Sequence, residues 1–159
     1  IIFILLLLAT FATIFHFSSQ IGETSDEVSK GLLSKLIDIF PYTKDLSDIT
    51  KDKLIEHGNP IIRKLAHFSI YALVGIWIMA FMSTFKIRLY KKWIVSMIVG
   101  VGYAIFDEYH QSFVADRGPS ITDVGIDSLG VLTGILVILI IISIYRALKS
   151  DKKLDEKAL

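Results

Sequence analysis

Residues able to move protons or grip a charged ligand fall in three short stretches of otherwise apolar sequence. These are Arg63, Lys64, His67 and Tyr71, then Asp107, Glu108, His110 and Gln111, then Arg117, Asp123 and Asp127. A charge in hydrocarbon costs several kcal/mol, so each of these residues needs a partner or a function. His67 suits general acid–base work, with Asp107 and Glu108 as catalytic carboxylates if the protein is an enzyme. Asp123 and Asp127 could serve with them as ligands of a hard metal. No spacing in the set is diagnostic of a metal site, so metal and cofactor stay unknown and the sequence requires neither. Lys64, Tyr71, Gln111, Arg117, Asp123 and Asp127 are the candidate substrate-binding residues.

The spacing groups these side chains by face. Lys64, His67, Tyr71 and Gly75 share one side of a helix. Ser96, Gly100, Tyr103, Asp107 and Gln111 line a second stripe, and Asp123, Asp127, Gly130 and Gly134 a third. Asp107 and Glu108 are neighbours, so they point roughly 100° apart and cannot face one target equally. One of them is expected to pair with Lys64 or Arg117. His110 falls on another face and is expected at the surface. Lys64 and Arg63 sit at the positive end of a helix dipole, which calls for an opposing anion, although either chain can instead snorkel to the headgroups. Arg117 can fork onto a phosphate or form a salt bridge to Glu108 or Asp107.

The elements that must position them are membrane helices. Hydrophobic residues make up 53% of the 159-residue chain, too much for a soluble domain of this length. The net charge of +1 gives no field to attract nucleic acid, and the absence of cysteine removes disulfides, thiolate metal sites and thiol nucleophiles. Four apolar runs approach the length needed to cross a bilayer, at about Ile1–Phe17, Ile61–Phe85, Trp93–Phe113 and Thr122–Tyr145. The first begins without Met and is expected to be truncated. Lacking a small-residue cleavage pattern at its end, it reads as a retained anchor rather than a signal peptide. The expected fold is all-α: a multi-pass transmembrane helical bundle with four spans and an extracytoplasmic helical loop. Its parts are the first span (1–17), the loop (18–59), a three-span core (60–145) and a tail (146–159).

Local signals mark the helix ends. Asn59-Pro60 suits an N-cap and first helical residue, which predicts that the second span starts there. Ser120 can cap the fourth span, with Asp123 in a capping-box position. In the loop, Thr24-x-x-Glu27 predicts a helix start. Val28, Leu32, Leu36, Ile39 and Phe40 then follow at helical spacing until Pro41. That face could lie in the membrane interface or pack over the bundle. A second short helix is expected over Ser47–His57, ending at Gly58. Lys86, Arg88, Lys91, Lys92 and the tail Arg146–Lys157 put one side in the cytoplasm under the positive-inside rule, with both termini there and the polar cluster opposite. Gly130-x-x-x-Gly134 permits close helix contact and is the expected route to a homo-oligomer.

Three pieces in order now carry a resemblance: Arg63-Lys64-Leu65-Ala66-His67-Phe68-Ser69-Ile70-Tyr71, then Phe106–Phe113 (FDEYHQSF) with Arg117, then Asp123-x-x-x-Asp127-x-x-Gly130-x-x-x-Gly134. Together they resemble the VanZ-like family of bacterial membrane proteins, named for an accessory teicoplanin-resistance protein. The resemblance covers roughly residues 60–140 and the four-span layout, and the loop adds nothing to it. The family usually carries Asn where this chain has Asp127. The resemblance implies a role in a bacterial, Gram-positive envelope and a contribution to lipoglycopeptide resistance, without supplying a chemical mechanism. Three functions follow for the polar cluster. It could bind an envelope lipid or lipid-linked precursor, act on one as an intramembrane hydrolase or transferase, or couple ions to transport. Transport is the weakest, because the inner halves of these helices hold no acids.

Overall fold

The computed structural model describes residues 1–158, with side chains through Lys149. The described residues form five α-helices and no strand: α1 (Ile2–Ser18), α2 (Gly22–Ile39), α3 (Asp48–Ser83), α4 (Leu89–Gln111) and α5 (Ile121–Ala158). Three of them, α3, α4 and α5, are long and apolar enough to cross a membrane. The pair α1 and α2, bent by 109° at their junction, raises the number to four if it counts as one span. The tail from residue 150 onward, expected to carry part of the cationic bias, lies outside the described side chains.

Apolar residues point outward along the spans. Ile98, Ile105, Phe106, Leu129 and Ile140 are all exposed, as lipid-facing side chains should be. The buried core is correspondingly thin: Ile14, Tyr71, Val74, Ile78, Met79, Ala104, Val131 and Ile135. Lipid removes most of the hydrophobic drive between helices, so close backbone approach must replace it. The α3–α5 contact supplies that approach. A Cβ on Gly75 would collide with the Val131 carbonyl, one on Gly130 with the Phe68 carbonyl, and one on Gly134 with the Ala72 carbonyl. The glycine pair expected to join two copies of the chain is therefore filled from within, by α3.

The loop 18–59 is ordered differently from the sequence expectation. Helix α2 starts at Gly22, two residues before Thr24, and no side chain caps it. The Gly22 amide instead donates to the Ala115 carbonyl in the α4–α5 turn, a bond that fixes the start from outside the helix. The helix beginning at Asp48 does not stop at Gly58. It runs through Asn59 and Pro60 into the apolar span as one 36-residue element. Asn59 cannot cap here because its side chain is buried and accepts a hydrogen bond from the Ser29 hydroxyl. Gly58 lies under Leu33, Arg63 pairs with Asp26 at 2.6 Å, and Lys51 pairs with Asp38 at 2.9 Å. These contacts align α2 antiparallel to the first half of α3, and that packing carries the helix past the proline. At 1.5 Å per residue α3 is about 54 Å long, well beyond a bilayer core of about 30 Å.

The packed side of α2 is Gly22, Ser29 and Ile37. Val28, Leu32, Leu36, Ile39 and Phe40, the face that could have covered the bundle, remains exposed.

Candidate functional site

The three polar stretches meet where α4 ends and α5 begins, against the middle of α3, which enters the bundle there after its first half has packed on α2. Ser120 opens α5: its hydroxyl accepts the Asp123 amide at 3.2 Å, as a capping residue should. The reciprocal half of a capping box is not made by Asp123. Glu108, at the end of α4, takes it, accepting the Ser120 amide at 2.8 Å. This buried carboxylate therefore ties the end of one span to the start of the next. Its neighbour Asp107 points elsewhere, as the angular argument requires.

Asp107 faces His67 of α3 and Asp127 of α5. Candidate ligand atoms of these three residues all lie within 4.8 Å of one another. Asp107 is 2% and Asp127 0% exposed, and His67 is partly buried. Nδ1 of His67 stands 3.5 Å from Oδ1 of Asp127. Gln111 donates to Oδ2 of Asp107 at 3.1 Å and to the Ser18 hydroxyl at 3.2 Å, which holds the Asp107 carboxylate from behind. Neither oxygen of Asp127 has a hydrogen-bond partner among the described residues, nor has the hydroxyl of fully buried Tyr71. A carboxylate so placed must be protonated, paired or bound to a cation.

The cations stand at the rim. Lys64 lies 3.9 Å from Asp123, with both side chains substantially exposed, so it pairs with neither Asp107 nor Glu108. Arg117 makes no salt bridge to those acids either. Its guanidinium donates to the Phe17 carbonyl at 3.3 Å, and its Nε has no partner among the described residues. Burial lowers the hold of Arg117 on its proton, and the nearby charge of Arg63 adds to that effect against the pull of Asp107 and Glu108. Two guanidinium groups thus share one small region. His110 stacks at 4.6 Å on Phe15 of α1, away from the acids.

Beside this cluster a cavity of roughly 260 Å³ opens between α1, α2 and α3. Ile14, Phe17, Val28, Leu32, Ile62 and Ile70 give it apolar walls, and Arg63, His67, Tyr71 and Arg117 also line it. Sequence reasoning missed the α1–α2 corner altogether. Ser18, Asp26 and Asn59 each hold part of the site's frame, yet Ser18 and Asp26 are unremarkable polar residues in a linear reading and Asn59 reads there as a cap. Arg63 does meet an anion in Asp26, but not because of the helix dipole: α3 starts at Asp48, which puts Arg63 and Lys64 far from its positive end.

Comparison with curated proteins finds no match, and comparison with solved structures finds none either. A family model described as VanZ/LLP1 matches residues 3–142, taking in the first two helices that the three motifs left out. On the length of that match and the helices it spans, the chain belongs to the VanZ/LLP1 family of proteins.

Proposed function

We propose that this protein works in a bacterial cell membrane, in the setting of teicoplanin and lipoglycopeptide resistance, by binding an envelope lipid or lipid-linked precursor. The observation that carries the reading is the cavity: roughly 260 Å³ with mostly apolar walls, to which Arg63 and Arg117 both contribute. A phosphate there would meet two planar donors, one of them with a spare N–H, in a partly desolvated setting where charged hydrogen bonds are strong. On this reading α1 is the fourth span and the site end faces outward. The cations of the α3–α4 connector then face the cytoplasm, as do both termini. The exposed apolar face of α2 lies in the interface beside the bound lipid.

A second reading, an intramembrane hydrolase or transferase, is favoured by one observation. His67 lines the cavity and also stands next to Asp127, so it could pass a proton between a bound lipid and the buried acids.

The test compares total membrane lipids and lipid-linked intermediates by mass spectrometry in cells with the protein, without it, and with His67→Ala. Lipid that co-purifies with the protein while the cellular profile stays constant supports binding. A headgroup change that vanishes in the variant supports catalysis. Purified protein free of lipid, from cells whose lipids are unchanged, removes both readings.

A further inference from the structure

The end of α4, the start of α5 and the middle of α3 leave a chemical problem at one point. Asp107 and Asp127 are shielded from solvent, close to each other and to His67. Two carboxylates cannot both stay ionised at such a spot without a positive charge between them. Lys64 is engaged with Asp123 and largely exposed, Arg63 is turned to Asp26, and Arg117 to the Phe17 carbonyl, which leaves only His67, 3.5 Å from Asp127, and one protonated imidazole offsets one of the two carboxylates at most. Asp127 in particular has two oxygens with no hydrogen-bond partner among the described residues, aimed into the space between the three helices.

We propose that His67, Asp107 and Asp127 form a binding site for one divalent transition-metal ion, of the Zn²⁺ or Mn²⁺ class. One imidazole and two carboxylates suit these ions, with the cavity side open for further ligands, whereas Ca²⁺ prefers an all-oxygen shell that has no place for the His67 imidazole. Two aspartates, a neutral histidine and a doubly charged cation sum to zero, which makes burial of the cluster inexpensive. The spacing requires a modest closure on binding. Ligands about 2.1 Å from one tetrahedral ion stand about 3.4 Å apart, so these atoms, which lie within 4.8 Å of one another, need to draw together by at most about 1.4 Å. Asp127 has no hydrogen bond to break in closing that difference. Gln111 already orients Asp107, the support that a metal-binding carboxylate usually receives. His67 belongs both to the cluster and to the wall of the apolar cavity, so the ion stands next to that cavity. The site does not depend on the lipid reading. Lipid binding could fail with the metal site intact, and the reverse.

Purified full-length protein in detergent is stripped with EDTA, dialysed against Zn²⁺ or Mn²⁺ in turn, and assayed for bound metal by mass spectrometry. Wild type is expected to hold about one ion per chain. Asp127→Asn and Asp107→Asn are expected to bind at least ten-fold more weakly, since even a residue that merely supports a ligand costs 10- to 100-fold. Asp38→Asn, which alters an exposed acid far from the cluster, should match wild type. Co²⁺ loaded into wild type should give visible absorption bands that shift or disappear in His67→Ala. Wild type that retains neither Zn²⁺ nor Mn²⁺ overturns the proposal whether or not the variants fold. Folded variants that bind as tightly as wild type overturn it too.

Discussion

Glu108 accepts the backbone amide of Ser120 at 2.8 Å, so a carboxylate from the end of α4 serves as the anionic cap on the start of α5. The position of this residue beside Asp107 invited a catalytic role; Oε2 has a structural one in this contact, while Oε1 is buried with no hydrogen-bond partner among the described residues. Glu108→Ala should cost about 1.5–3 kcal/mol, the range for a lost hydrogen bond to a charged group. Glu108→Gln keeps an acceptor and should cost under about 1 kcal/mol while leaving function intact. Thermal unfolding in detergent, alongside teicoplanin susceptibility of cells carrying each variant, checks both halves. Loss of function in a stable Glu108→Gln protein would return the residue to the chemistry.

Asp127 should behave in the opposite way. With EDTA present, Asp127→Asn is expected to be at least as stable as wild type, because a neutral amide is far cheaper to bury than an unpaired carboxylate. Denaturation midpoints of the two proteins in EDTA decide this. A variant that melts well below wild type would mean that the carboxylate is satisfied by its protein neighbours alone.

The α3–α5 contact makes a sharp prediction about glycine. Gly75→Ala and Gly134→Ala place a Cβ against backbone carbonyls of the facing helix and should destabilise by about 1–3 kcal/mol each. Gly31 of α2 has nothing within 4 Å of a Cβ, so Gly31→Ala should gain up to about 1 kcal/mol from helix propensity. Parallel melts of the three variants check the contrast.

Pro60 interrupts the hydrogen-bond ladder of α3 without ending the helix. Pro60→Ala restores a donor and should stabilise the protein, by up to about 3 kcal/mol. Asn59→Ala removes one acceptor of the Ser29 hydroxyl, which can still turn to the Ser25 and Asp26 carbonyls, and should cost about 0.5–1.5 kcal/mol. Circular dichroism melts read both. An unchanged melt for Asn59→Ala would break the proposed tie between α2 and α3.

The rim cations should separate by what they face. Arg63→Ala and Arg117→Ala should each lower retention of an anionic phospholipid roughly ten-fold, the equivalent of one charged hydrogen bond. Lys64→Ala should change it little, since an exposed pair at 3.9 Å contributes under about 1 kcal/mol. Co-purified lipid per chain, measured across the three variants, gives the order.

Much of this protein was legible from residue order alone. Apolar run length marked four spans, because a helix must satisfy its own backbone groups to cross lipid; three stand as single helices, and the first counts only if the bent α1–α2 pair is one span. Helical periodicity put Tyr71 and Gly75 on one stripe and Asp127, Gly130 and Gly134 on another, and Ser120 was recognisable as a cap. Adjacency alone settled that Asp107 and Glu108 would diverge. Tertiary structure decided which of the two turned inward, because that depends on where α5 begins relative to the end of α4. It decided that Asn59-Pro60 continues a helix instead of starting one, since the Ser29 contact comes from a segment 30 residues away. It also assigned the Gly130–Gly134 stripe to α3 of the same chain. Local sequence fixes what a residue can offer along its own helix. The partner that takes up the offer comes from another helix, and no short-range pattern carries that information.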